Sequence, residues 1–405
     1  MMKVFQINCS ASGSTGQIAD AIHMGLNNAG NENVFAYGIG RSQHKNTYPI
    51  SSWLETHVHD QLSKITGMQG YFSAGHTLYL LYLLKKEDPD IIHLHNVHGN
   101  YLCLPLLFRY LSKCRAKVVI TLHDCWLFTG KCPYYTHVGC ERWMADCGDC
   151  CQLGIYPKSY WFDRSKKNLK DKKAWMHSIG AKVHLVAVSD WLMGETQKSF
   201  LKGFPVSRIY NGIDCDVFHP TDFEEINRKY QLCGKKVILG VASVWDDRKG
   251  LRYFQKLADQ LVENEIIILV GLSDVQIRDL PGNIIGIQRT ENKQELVALY
   301  SRADVLFHAS AEETFGMVVA EALACGTPAV VFDSTACPEV ISQETGICIS
   351  AGRVDAAHEE IQKILCCDKK QYTYRCVERV AQHFEKTRMV NEYLKLYNHI
   401  LSEYS

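Results

Sequence analysis

The sequence has no stretch of about 18 consecutive apolar residues, the length that a membrane-spanning helix requires. Apolar runs such as Ile266–Gly271 and Ala329–Phe332 have the length of buried strands instead. It also lacks an excess of charge, with lysine plus arginine and aspartate plus glutamate at 44 each. A general nucleic-acid binder carries a basic surplus, so no nucleic-acid partner is expected, although a local basic patch is compatible with the balance. Met1–Cys9 holds Lys3 and a brief apolar run before a Gly/Ser loop, which is not the pattern of a secretory leader. The expected location is cytoplasmic, with peripheral contact on the inner face of the cytoplasmic membrane left open. Short-period repeats and low-complexity tracts are missing too, which excludes solenoids and compositionally biased linkers.

What is present fits a soluble globular chain. Of 405 residues, 46% are hydrophobic and 22% charged, and that length suits two domains better than one core. Strand and helix signals alternate, the mark of parallel α/β architecture. Lys3–Asn8, Val34–Tyr37, Ile91–His95, Lys117–His123 and His184–Val188 read as strands of a first cycle. Lys236–Ala242, Glu265–Gly271, Val305–Ala309 and Pro328–Phe332 read as strands of a second. Gly13-Ser14-Thr15-Gly16 reads as a turn before a helix over Gln17–Asn28, and Gly250–Glu263 as another helix. The expected division is 1–205, then 206–380, then a long helix from about Cys376 that fills 381–405 and either stays on the second domain or crosses back. Two doubly wound domains facing each other would place a binding cleft at the carboxyl ends of their strands.

Chemistry concentrates in Ser310–Pro328, SAEETFGMVVAEALACGTP, where Glu313 and Glu321 stand with seven residues between them. Phe315-Gly316 opens a helix there, and helix N-termini hold anions. Arg248-Lys249-Gly250 follows the strand that ends near Ala242, and a lysine beside a pyrophosphate neutralises charge that grows on a leaving group. In the first half, Gly13 and Gly16 allow backbone amides to approach a ligand. His123-Asp124 follows the strand KVVITL. His93 and His95 should share one face of their strand, with His98 beyond, and packing, substrate contact and metal binding are the open readings.

This pattern resembles the family-four retaining glycosyltransferases, in their E-x7-E form with E-x-F-G and E-A-x-A-x-G-x-P. The resemblance implies a GT-B fold of two Rossmann-like domains and transfer of a sugar from a nucleoside-diphosphate sugar. It implies that Glu321 holds the donor ribose, that Glu313 lies near the donor sugar, and that the amides of Gly316, Met317 and Val318 meet the diphosphate. Lys249 matches the family's K-G lysine. An arginine usually stands five residues earlier, where this chain has Val244, so Arg248 is the alternative second cation. His123 corresponds to a histidine close to the reacting sugar, and Gly13, Gly16 and Asp124 fall on the acceptor side. Asn211-Gly212-Ile213-Asp214 matches the family's N-G-I-D turn, with Asn and Asp expected to bond their own backbone. Cys337-Pro338-Glu339 resembles its P-E segment.

Six of the 17 cysteines lie between Cys125 and Cys151. The insert of about 125–160 is similar to that of the subgroup associated with colanic acid, capsule and O-antigen assembly, with H-D-x-W-x-x-T-G-x-C, C-x-x-W and C-x-x-C. Cys132, Cys140, Cys147 and Cys150 could hold a structural zinc that folds a loop too polar for its own core; packed free thiols or a disulfide formed on oxidation are the other readings. The family resemblance implies no catalytic metal, which favours packing or substrate contact for His93, His95 and His98. Lys158–Lys182 carries eight lysines or arginines against two aspartates, interleaved with Tyr160, Trp161, Phe162 and Trp175. That mixture suits an anionic membrane surface or the pyrophosphate of a lipid carrier, and equally a solvated helix. The expected activity is retaining transfer to a lipid-linked oligosaccharide acceptor. A GT-B sugar-nucleotide epimerase and a catalytically silent scaffold are the rival readings.

Overall fold

The computed structural model describes residues 1–402. Two compact units form, one from Met1–Ile209 with the segment from Met389 on, the other from Tyr210–Arg388. The first unit is built on a seven-stranded, all-parallel sheet. Its strands are β1 (Lys3–Ser10), β2 (Glu32–Ile39), β3 (Thr47–Pro49), β4 (Ile91–Leu94), β5 (Lys117–Leu122), β6 (Val183–Ala187) and β7 (Val206–Arg208). They lie in the order β3-β2-β1-β4-β5-β6-β7. Residues such as Val4, Phe5, Ile91, Ile92, Val118 and Val119 are fully buried, as expected of parallel strands covered on both faces by crossover helices. The strand order reverses at β1, which pairs with both β2 and β4. Open α/β sheets bind ligands at that switch point, and the segments that follow β1, β4 and β5 carry Gly13, His95 and His123.

The second unit repeats the plan with β8 (Lys236–Val241), β9 (Glu265–Val270), β10 (Ile284–Ile287), β11 (Val305–His308), β12 (Ala329–Phe332) and β13 (Gly346–Ile349). Their order is β10-β9-β8-β11-β12-β13, all parallel. Here the reversal falls at β8, between β9 and β11. The loop after β8 holds Lys249 and the loop after β11 holds Glu313, so the same topological rule brings the two motifs together.

Several local expectations change. The helix after β1 starts at Gly13, so Gly13-Ser14-Thr15-Gly16 is its first turn and not a separate loop. The helix after Gly250 covers only Leu251–Ala258. Strands β3, β7, β10 and β13 are three or four residues long, too short to stand out by period. The single long helix expected from Cys376 is two, Lys370–His383 and Lys386–Ser402; its expected end at Ser405 lies outside the described residues. The break is fixed by tertiary contacts. Phe384 is buried against the rings of Tyr210 and Phe315, and its carbonyl accepts from the Ile213 amide at 2.7 Å while Lys386 donates to Ile213 O at 2.9 Å.

The last of these helices completes the first unit. Met389, Val390, Tyr393, Leu396, Tyr397 and Ile400 recur at helical spacing and join one core with Val4, Ile18, Ile22 and Leu26. Gly25 makes that packing possible, because a Cβ there would sit 2.1 Å from Val390 Cγ1.

Candidate functional site

In the second unit, β11 ends at His308, and the chain then turns through Ser310–Gly316 before the helix Met317–Ala324. Gly316 caps that helix in the left-handed region, φ 101°, a conformation a side chain would strain. Phe315 is buried and anchors the turn. The helix start directs the amides of Gly316, Met317 and Val318 away from the helix, an arrangement that favours an anion. Glu313 is fixed through its backbone, whose amide donates to Thr335 Oγ1 at 2.8 Å.

Two side chains converge on Glu313. The Lys249 ammonium donates to Glu313 Oε1, and His308 Nε2 lies 3.2 Å from the same oxygen. Burial alone would raise the Glu313 carboxyl, but Lys249 and His308 together hold it well below the usual carboxylate range. The lysine is presented by a tight loop. Its amide donates to Asp246 O and Oδ1, both at 3.0 Å, and Gly250 follows at φ 77°. Arg248 bends back on its own neighbourhood, donating to Glu312 O at 3.3 Å and standing 3.6 Å from Asp246. Val244, where the family's arginine usually stands, is 65% exposed.

Glu321 lies one helix turn further along and differs in charge state. Burial pushes its carboxyl up to about 7, against the opposing pull of a Tyr300 hydrogen bond and Lys293. Tyr300 Oη donates to Glu321 Oε2 at 2.9 Å, and Tyr300 is itself held by Thr327 Oγ1, which donates to its carbonyl. His308, Thr335 and Tyr300 were not singled out from the sequence. His308 carried a usable signal, being a titratable residue at a strand's carboxyl end like His123. Tyr300 lies in an ordinary helical pattern, and only the tertiary fold places it beside Glu321.

In the first unit, His123 and Asp124 follow β5, and His95 follows β4. His93 and His95 do share a face, their ring centres 4.0 Å apart. His95 Nδ1 lies 3.1 Å from His123 Nε2, and His95 Nε2 lies 3.1 Å from Gln6 Oε1. His98 Nε2 pairs with Asp124 Oδ2 at 2.7 Å. Burial lowers His123 to about 4 and His93 to about 3, so both rings are neutral near pH 7. His93 belongs to the core, between Thr121 Oγ1 at 2.8 Å and Tyr397 Oη at 2.7 Å. Gly13 is exposed, with open space where a Cβ would point. Gly16 is different: a Cβ there would strike the Ala11 carbonyl carbon at 2.7 Å, so its first requirement is packing.

The insert has a core of its own, contrary to the expectation of a loop too polar to have one. Trp126, Phe128, Tyr135 and Trp143 are buried, and the rings of the last three pack on one another. Lys172 is buried as well. It donates to Trp126 O at 2.6 Å and Thr129 O at 3.0 Å, and its ammonium lies 3.3 Å from the Trp126 ring centre. Lys131 likewise donates to Gln152 O and Ile155 O. All 17 cysteines are free thiols. Among the described residues no group of three or more His, Cys, Asp or Glu is placed to hold a metal ion; burial and the neighbouring Cys150, Cys147 and Cys140 thiols push Cys132 up to about 12. Cys147 Sγ accepts from the Gly130 amide at 3.3 Å. The N-G-I-D turn also differs in detail, because the Asp214 carboxylate pairs with Lys386 at 2.7 Å. Cys337-Pro338-Glu339 forms a short helix, and Arg379 donates to Glu339 O at 2.8 Å. Among the described residues no helix is long and apolar enough to cross a membrane.

Known proteins agree with this architecture. Residues 222–379 match the family "Glycosyl transferases group 1", and residues 33–217 match "Glycosyltransferase Family 4". The chain is 22% identical to WcaC of Escherichia coli K12, named as a colanic acid biosynthesis glycosyl transferase, over 98% of this chain and all of that one. It is 23% identical to the N-acetyl-alpha-D-glucosaminyl L-malate synthase of Bacillus anthracis, over 79% of this chain and 77% of that one. Among solved structures, sucrose-phosphate synthase of Thermosynechococcus elongatus superposes with a TM-score of 0.72 at 16% identity, covering both chains fully. Anabaena HepE, solved with UDP and glucose, gives 0.69 at 14% identity, over 98% of this chain and all of that one. With two parallel Rossmann-like sheets, the E-x7-E turn on the second and both family matches in register with them, the chain belongs to the family-four glycosyltransferases of the GT-B fold.

Proposed function

We propose that this protein moves a sugar from a nucleoside-diphosphate sugar to a hydroxyl of a growing, lipid-linked oligosaccharide, with retention of anomeric configuration, in the assembly of a surface polysaccharide. The observation that carries the reading is the convergence of Lys249, Glu313 and His308 beside the helix start at Gly316, with Glu321 on the same helix. A phosphate-seeking lysine and a helix N-terminus suit a diphosphate, and a carboxylate one turn along suits ribose hydroxyls. The name of the E. coli relative points to polysaccharide assembly.

In the step we propose, the bond from the anomeric carbon to the β-phosphate oxygen breaks and its electron pair stays on the phosphate. Lys249 and the amides of Gly316–Val318 stabilise that charge, with Arg248 close by, and the step as written uses no catalytic metal. The acceptor oxygen bonds to the anomeric carbon on the face being vacated, and its proton passes to the departing phosphate. Glu321 holds the ribose and Glu313 the donor sugar. Neutral His123, steadied by His95, hydrogen-bonds a sugar hydroxyl; Gly13, Gly16 and Asp124 line the acceptor side.

The test is a thermal-shift screen against UDP, GDP, ADP and CMP, followed by analysis of the product's anomeric configuration. A rise with one nucleotide that is lost in Glu321→Ala supports the donor site. Conversion of the donor without any acceptor into an isomeric nucleotide sugar would replace the reading with an epimerase, and no response to any nucleotide would favour a silent scaffold.

A further inference from the structure

The helix Trp53–Thr66 in the first unit is amphipathic the wrong way round for a soluble protein. Its inward face is polar. His59 is buried with Nδ1 2.8 Å from Ser73 Oγ, Ser63 is buried, and Glu55 pairs with His76 at 2.9 Å. Asp60 accepts from Asn100 Nδ2 at 2.9 Å and from Lys64. Its outward face carries Trp53, Leu54, Val58, Leu62 and Ile65, which recur at helical spacing and reach 71% exposure at Trp53 and 66% at Leu54. Exposed His57 and Gln61 interleave with it, while the helix's charged residues, Glu55, Asp60 and Lys64, are half-buried. Isolated exposed apolar residues are ordinary, but a contiguous stripe marks a surface that another phase or molecule covers.

The stripe continues into neighbouring segments. The Tyr160 amide donates to Lys64 O at 2.8 Å at the end of this helix, and Tyr160, Trp161 and Phe162 are all exposed. Cations sit directly on those rings, with the Lys158 ammonium 5.1 Å from the Tyr160 centre and the Arg164 guanidinium 5.7 Å from that of Phe162. The next helix, Ala74–Glu87, is joined to the first through His76 and Glu55 and exposes Leu78, Tyr79 and Tyr82, followed by Lys85 and Lys86.

We propose that this face is a membrane-docking surface that lies on an anionic lipid bilayer. An apolar helical stripe enters the headgroup boundary, aromatic rings sit at the interface, and rim lysines and arginines meet lipid phosphates. Charge complementarity selects the occupant: the cations lie against the apolar rings, while Glu55 and Asp60 are half-buried and paired with His76 and Lys64, and the exposed Asp163 carboxylate accepts from the Cys150 and Ser165 amides. Docking deepens the proposed use of a lipid-linked acceptor and rests on that reading for its purpose, though not for its physics.

The full chain is tested by co-sedimentation with vesicles of phosphatidylcholine alone and of phosphatidylcholine mixed with phosphatidylglycerol. Binding is expected to the mixed vesicles and to weaken with salt. The triple variant Leu54→Ser, Val58→Ser, Leu62→Ser should lose at least about tenfold in partition with its unfolding temperature unchanged, since all three positions are exposed. Lys158→Glu with Arg164→Glu should reduce the preference for anionic vesicles by about tenfold. The proposal is overturned if the wild-type chain ignores both vesicles, or if the triple variant binds as well as wild type. It is equally overturned if the triple variant only converts a dimer to a monomer in analytical ultracentrifugation, which would make the face a contact between copies. The nucleotide thermal shift, measured on the same samples without lipid, reports separately on the proposed transferase site.

Discussion

Replacing Glu321 with glutamine should make the protein more stable and at the same time disable the proposed donor site. In the folded chain burial raises the Glu321 carboxyl from the usual 4.5 to about 7. The unfolded chain releases that proton at lower pH, so the native state binds the extra proton between these values. The stability this supplies is fully present below pH 4.5 and is lost as pH rises through 7. At about 1.4 kcal/mol per pKa unit the loss is at most about 3.5 kcal/mol. Glutamine keeps the shape and the Tyr300 partner without the titration. Glu321→Gln should therefore melt several degrees higher at about pH 8, at about 2–4 °C per kcal/mol for a unit of this size, and melt like wild type near pH 4.5. In the proposed donor site ribose hydroxyls donate to the ionised carboxylate, so wild-type affinity for a nucleotide sugar should weaken up to about tenfold per pH unit below 7, and Glu321→Gln should be flat and weak. A nucleotide sugar is the right ligand because its phosphodiesters do not titrate in this range. Calorimetric titrations across about pH 5.5–8 and melting curves at both extremes check this. A wild-type affinity independent of pH, or a glutamine variant less stable than wild type at high pH, would refute the reasoning.

Other outcomes follow from the same site. Lys249→Ala should cut kcat at least about 100-fold, the size of a lost transition-state charge contact, and near-normal turnover would sink its assignment. Tyr300→Phe removes a hydrogen bond that holds the Glu321 carboxyl down, so the pH dependence of donor binding should move upward, with KM for the donor raised more than kcat falls. Gly316→Ala should cost about 1–2 kcal/mol in urea unfolding, the penalty of a side chain in the left-handed region, because Gly316 holds φ 101°.

The architecture was legible in the sequence because buried parallel strands announce themselves. Runs such as KVVITL and KVILGV stand as β5 and β8 almost as expected. Short edge strands such as Val206–Arg208 carry too few residues for a period and gain their order from a neighbour already in place. The E-x7-E turn was readable because the helix start and both glutamates sit in one segment. What the sequence concealed lies across long separations. Tyr300 approaches Glu321 over a helix pair, and His308 shares Glu313 with a lysine 64 residues away from that carboxylate. The insert was misjudged because composition counts lysine as surface. Lys131 and Lys172 are nearly free of solvent, and carbonyl oxygens and a tryptophan ring satisfy them.

The helix that starts at Lys386 and enters the first unit's core sets an order of events on the ribosome. The sheet Lys3–Arg208 emerges early, yet the residues that cover Ile18, Ile22 and Leu26 follow only after Tyr210–Arg388 has been made. At ordinary elongation rates that interval is roughly 10–40 s, and during it the half-finished unit carries an uncovered apolar strip. A chaperone should hold the nascent chain over that window, and the contiguous Tyr210–Arg388 should reach its native contacts first. Messages truncated before Met389 should yield an aggregating product. Ile209 and Met389 share one core cluster, so a short linker between them should give a first unit that folds without waiting.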